Sequence, residues 1–134
     1  MVEEHLGGCL CGRVRFKAVG RPQRVGVCHC MDYRRHHGAM FYAAAIFDAH
    51  SVTIAGLTHA YKGRCFCPNC WSSVFAVSGE EIELHLGALD QPEEFHPTYE
   101  GWVARRASWV PRFSDTVTYA KDCDANECGG RLNQ

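Results

Sequence analysis

Most of the periodic signal along this chain repeats every two residues. Val14, Phe16 and Ala18 alternate with Arg13, Arg15 and Lys17, and Ile82, Leu84 and Leu86 alternate with Glu83, His85 and Gly87. Both runs predict half-buried strands. Shorter β-rich runs cover Arg24 to Cys28, Phe41 to Phe47, Val52 to Ile54, Thr58 to Tyr61, Ser73 to Val77 and Thr116 to Tyr119, with Gly56, Gly63 and Gly79 at turns. The polar segment Met31 to Gly38 predicts one helical turn, closed by Gly38 in a left-handed cap. Asp90 to Pro97 reads as a surface loop with a short turn begun by Pro92. The pattern predicts one mainly β domain over residues 1–120, and a loosely held tail over the polar, Gly-containing stretch Lys121 to Gln134.

A length of 134 residues suffices for one domain with its own core. Fourteen basic against fifteen acidic residues leave a net charge of -1, which gives no electrostatic footprint for nucleic acid or an anionic membrane surface. The start, Met1-Val-Glu-Glu-His5, has no basic and apolar leader, and no run approaches the roughly 18 apolar residues that span a bilayer. A cytoplasmic protein with a small-molecule partner is expected.

The cysteines change this picture most. Seven of nine fall at short spacing: Cys9 and Cys11, Cys28 and Cys30, and Cys65, Cys67 and Cys70. Close pairs in a cytosolic chain point to metal more readily than to disulfides, although Cys123 and Cys128 form an obvious pair to consider for oxidation. On a strand, residues i and i+2 face the same way with Cα atoms about 6.5 Å apart. Two sulfurs on a tetrahedral zinc stand about 4 Å apart, so side-chain rotation can bring a C-x-C pair onto one ion. Spacing most naturally gives Cys9, Cys11, Cys67 and Cys70 as a closed structural zinc site. Burial as small hydrophobes is the plainer alternative. A thioredoxin-like redox role for Cys67-Pro-Asn-Cys70 would need a helix after it, where Ser73 to Val77 reads as a strand.

Cys28 and Cys30 are then the candidate catalytic residues. Two thiolates would leave positions open on a second zinc, with His29, Asp32, His36 and His37 as candidate further ligands, although a strand would turn His29 away. His36 and His37 also fit a merely exposed turn.

In order along the chain, Gly8-Cys9-Leu-Cys11-Gly12, Cys28-His29-Cys30 with Arg34-Arg35, Cys67-Pro-Asn-Cys70 and Leu86-Gly-Ala-Leu-Asp90 with Pro92 resemble the glutathione-dependent formaldehyde-activating enzyme (GFA) family. The resemblance runs from about Gly7 to Phe113, including Trp102 and Trp109. It implies an Mss4-like fold of coiled, mostly antiparallel sheets organised around a structural zinc on Cys9, Cys11, Cys67 and Cys70. It also implies a second zinc on a C-x-C-x-x-C motif, and carbon-sulfur lyase chemistry on a thiol adduct of an aldehyde, with glutathione as the thiol. Arg34 and Arg35 match paired arginines and suit the carboxylates of such a substrate, although packing within the fold accounts for them equally well. The chain departs from the motif at Tyr33, where the third cysteine should stand, and at Trp71, where relatives have glycine. A phenol is a poor zinc ligand beside a thiol. The alternative reading is therefore a zinc-stabilised binding module that has lost the second ion.

Overall fold

A computed structural model describes residues 3–122, and the remaining positions, Cys123 and Cys128 among them, lie outside the described residues. Two sheets carry the fold. Strands β1 (Glu4–Gly8), β2 (Arg15–Val19) and β5 (Val52–Ala55) form a three-stranded antiparallel sheet in the order β1-β2-β5. The larger sheet has the order β11-β10-β3-β4-β9-β8-β7-β6, using β3 (Arg24–Cys28), β4 (Tyr42–Asp48), β6 (His59–Tyr61), β7 (Arg64–Phe66), β8 (Ser73–Ser78), β9 (Glu81–His85), β10 (Tyr99–Gly101) and β11 (Val117–Thr118). Its pairings are antiparallel except around β10, which runs parallel to β3 and β11. The period-two pattern predicts the mainly β architecture, and the family resemblance implies its mostly antiparallel sheets.

The core lies where inward side chains of both sheets meet. Phe16 and Ala18 come from β2, Phe47 and Ala45 from β4, Val74 and Phe75 from β8, and Ile82 and Leu84 from β9. Cys9, Cys65 and Cys67 join this cluster, so the Cys65 thiol packs as a core group and burial pushes its pKa up.

The strands that the pattern misses show why it misses them. In β1 the inward residues are His5 and Gly7 while Leu6 is exposed, the reverse of a hydrophobic-in reading. His5 is accommodated by Glu94 and by the Gly20 carbonyl at 2.9 Å. In β10 the central residue is Glu100, fully buried. The Glu83 and His85 side of β9, expected to face water, is instead covered, because Tyr33 and Tyr42 pack against His85 at ring separations of 6.1 and 5.5 Å.

Helix α1 (Met31–His37) is longer than the single turn predicted, and Gly38 closes it with φ of 78°. Pro92–Glu94 forms the expected short turn. Of the anticipated tail, Lys121 accepts a hydrogen bond from the Trp102 backbone at 2.8 Å, and Asp122 accepts one from the Trp102 indole at 2.7 Å. Among the described residues no helix is long and apolar enough to cross a membrane.

Gly7 brings β1 into close approach with the 86–89 turn. A Cβ there would meet the Ala88 carbonyl oxygen at 2.3 Å and the Phe16 ring at 2.4 Å. Because backbone cannot yield as a side-chain tip does, Gly7→Ala is expected to cost about 1–3 kcal/mol, read as a lower urea midpoint at unchanged m-value.

Candidate functional site

The chain after β1 does not continue as a strand through Cys9 and Cys11. It folds back in a tight turn: the Cys9 N–H donates to the Val14 carbonyl at 3.0 Å and the Gly12 N–H to the Cys9 carbonyl at 3.2 Å, with Gly12 at φ of 83°. A second turn closes Cys67 to Trp71, whose N–H donates to the Cys67 carbonyl at 2.8 Å. The two turns face each other and bring four sulfurs, those of Cys9, Cys11, Cys67 and Cys70, within 4.8 Å of one another.

The fit to a tetrahedral thiolate site follows from these distances. Cys9 Sγ lies 3.6 Å from Cys11 Sγ, which lies 3.7 Å from Cys67 Sγ. Zinc–sulfur bonds of about 2.3 Å require roughly 3.8 Å. Backbone N–H groups of Val14 and Asn69 point at Cys9 Sγ and Cys67 Sγ from 3.2 and 3.4 Å, which favours the anionic sulfur. The Ser72 hydroxyl, 3.2 Å from Cys70 Sγ, pulls that thiol down to about 5. Cys9 and Cys67 are buried and Cys11 is exposed, so the centre has one face in the core and one toward solvent. The four residues expected from spacing can hold one metal ion, and nothing in the set leaves room for a protein ligand from elsewhere.

The Cys28-His29-Cys30 segment is not one strand either. Cys28 ends β3, and Cys30 is the N-cap of α1, its sulfur accepting from the Tyr33 N–H at 3.5 Å. His29 turns inward, fully buried, with Nε2 3.0 Å from Glu100. Glu100 also accepts from Arg106 at 2.8 Å and from the Thr116 hydroxyl at 2.7 Å. Burial pushes this carboxyl up, but its three donors outweigh burial and hold it below its usual value. His29 is thereby occupied as a structural anchor beneath the two cysteines.

The hydrogen bond from Cys28 and the N–H groups of Tyr33 and Asp32 lower the Cys30 thiol to about 6, while that same contact and burial push Cys28 up. The pairing thus favours the ionised form at Cys30 and the protonated form at Cys28. A cavity of about 300 Å³ opens beside Cys28, lined also by Tyr42, Glu83, Tyr99, Trp102 and Asp122.

The Tyr33 side chain is committed to other partners. Its hydroxyl donates to Glu83 at 2.8 Å, Tyr42 donates to the other oxygen of Glu83 at 3.0 Å, and the two rings stack 3.7 Å apart. Among the described residues no third His, Cys, Asp or Glu completes a metal-holding group with Cys28 and Cys30. The candidate ligands sit elsewhere: Asp32 is exposed and 3.7 Å from Arg64, and His36 and His37 lie at the far end of α1. Arg34 reaches the Arg105 carbonyl at 3.4 Å, and Arg35 lines a separate surface cavity, so neither borders the cavity beside Cys28.

Glu83, Glu100 and His85 escape the sequence reading because each sits at a position where alternation predicts solvent or where no strand is predicted. His85 is buried, bonded to Ser73 at 3.2 Å, and its Nε2 has no partner; burial lowers it to about 4.

A family model described as "Glutathione-dependent formaldehyde-activating enzyme" matches residues 4–105, about three quarters of the chain. No curated protein matches.

Two outcomes are expected. Cys67→Ser should lose one zinc per chain and the cooperative melting transition together, measured by atomic absorption and circular dichroism, because a closed structural site binds metal with folding energy. His85 takes up its proton more readily when unfolded, so the folded state is penalised as pH falls from about 6.5 through about 4. The urea midpoint should fall over that window less steeply in His85→Gln than in the wild type.

Proposed function

We propose, from the chain's membership of the glutathione-dependent formaldehyde-activating enzyme family, that it is a zinc-stabilised carbon–sulfur lyase acting on a thiol adduct of a small aldehyde. The observation that carries this reading is the Cys28/Cys30 pair at the start of α1, of which Cys28 lines a cavity of about 300 Å³. The cavity suits a one- or few-carbon aldehyde and the sulfur end of a larger thiol such as glutathione.

The four-cysteine centre would hold a zinc that ties residues 9–11 to 67–70 and takes no part in bond making. A second zinc on a C-x-C-x-x-C set does not fit, since Tyr33 supplies no sulfur and its hydroxyl is committed to Glu83. The chemistry is therefore assigned to the thiol pair itself. In the direction of adduct formation, the Cys30 thiolate takes the proton of the incoming thiol. The freed sulfur forms a bond to the carbonyl carbon, and the carbonyl π electrons move onto oxygen. That oxygen takes the proton from Cys28, and the hydrogen bond between the cysteines returns a proton from Cys30 to Cys28. Adduct cleavage runs the same steps backwards.

A second reading is favoured by the Tyr33–Glu83–Tyr42 lock: a binding module that keeps the structural ion and has lost the catalysis. The two separate by experiment. Wild-type protein reconstituted with excess zinc is expected to hold one ion per chain and Tyr33→Cys two. Exchange between formaldehyde, glutathione and their adduct, followed by NMR, should be accelerated by the wild type and slowed at least about tenfold by Cys30→Ser. Wild-type protein that is folded, zinc-loaded and without effect on the exchange would leave the module reading standing.

A further inference from the structure

The turn that closes the four-cysteine centre places its last residue in left-handed backbone, where glycine sits freely and a bulky residue is strained. Trp71 occupies this position at φ of 64°. Its indole gains little burial in return, being 69% exposed. On the neighbouring turn Lys62 is also left-handed, at φ of 48°. Strain held at exposed side chains that contribute little to the core is a marker of a ligand surface.

These residues belong to one face. Trp71 stacks on Phe66 with centroids 5.6 Å apart and planes 23° from parallel. His59 and His36 stand edge-on to Phe66, at 6.1 and 6.5 Å, and extend the platform. A cavity of about 450 Å³ is lined by Trp71, Phe66, His36 and His37. Across His36 lies a second cavity of about 410 Å³, lined by Arg35, Tyr61, Lys62 and Arg64 with Asp32 as its one acid. Arg64 packs over the Tyr33 ring and meets Asp32 at 3.7 Å. Among the described residues neither Arg35 nor Lys62 has an ion-pair partner, so the face carries uncompensated positive charge next to a stacking surface. Cys28 and Cys30 line neither cavity.

We propose that the Trp71–Phe66 platform and the Arg35, Lys62 and Arg64 cluster form one binding site for a planar aromatic ligand with an anionic group, the chemistry of a nucleotide. The ring stacks on the indole, which is exposed for that purpose. The anion sits across His36 on the guanidinium and ammonium groups, where Arg35 supplies the geometry that matches phosphate oxygens.

Adenosine 5′-monophosphate is the probe, with adenosine and inorganic phosphate as separate arms, and the Trp71 indole resonance is followed by NMR on the zinc-loaded full chain. The nucleotide should shift that resonance saturably, with an affinity that falls as salt rises. Combined Arg35→Ala and Lys62→Ala substitution should weaken it roughly tenfold or more, bringing it near adenosine. Trp71→Gly should bind no nucleotide, read from the Arg35 and Phe66 signals, while keeping its zinc and an unchanged or higher Tm. Cys30→Ser should bind like wild type, which separates this site from the thiol chemistry. No saturable shift in the wild type, binding that survives Trp71→Gly, or phosphate alone matching the nucleotide would each overturn the proposal. So would a dimer in sedimentation that dissociates in Trp71→Gly, which would make the face a contact between two copies.

Discussion

Four sulfurs drawn to within 4.8 Å of one another are the constraint on which the rest of the molecule hangs. Thiolates at that distance repel unless a cation sits among them, and backbone N–H groups alone cannot compensate four charges. The turns that carry them are otherwise weakly specified, short and glycine-rich on one side and proline-containing on the other. Joining them ties the three-stranded sheet, through β1, to the large sheet, through β7 and β8. Two of the four cysteines lie in the hydrophobic core, so the four-cysteine cluster and the core are one unit rather than two independent sources of stability.

The two-residue period made most strands legible because their inward residues are apolar and their outward ones charged. It failed where a polar residue faces inward with a prepared partner, as His5 does in β1 and Glu100 in β10. It also misjudged β9, since α1 and Tyr42 cover the side that holds Glu83 and His85. In each case the deciding partner is distant in sequence: Glu94 for His5, His29 and Thr116 for Glu100, Tyr33 for Glu83. A local pattern carries no information about such pairings. The four clustered cysteines were legible for the opposite reason, as paired thiols at short spacing need no distant partner to be noticed.

The region around Cys28 and Cys30 shows how the same fold can support a different site. Its anchoring residues are intact: His29 is fixed by Glu100, and Cys30 caps α1. The third position of the motif is a phenol, stacked on Tyr42 and hydrogen-bonded to Glu83. What remains is a pair of thiols in unlike surroundings, with Cys28 beside a small cavity. Spacing alone pointed to the pair, but not to the turning of Tyr33 toward Glu83, which decides what the pair can hold.

The carboxylate of Glu83 ties the residue at position 33 to the stability of the large sheet. With tyrosines on both oxygens, its solvation depends on Tyr33, and a cysteine there would strip one donor from a half-buried group. A third thiol at position 33 is therefore uphill in free energy, unless Glu83 changes as well. Tyr33 is in this sense held in place by the stability of the fold, whatever the two cysteines beside it do.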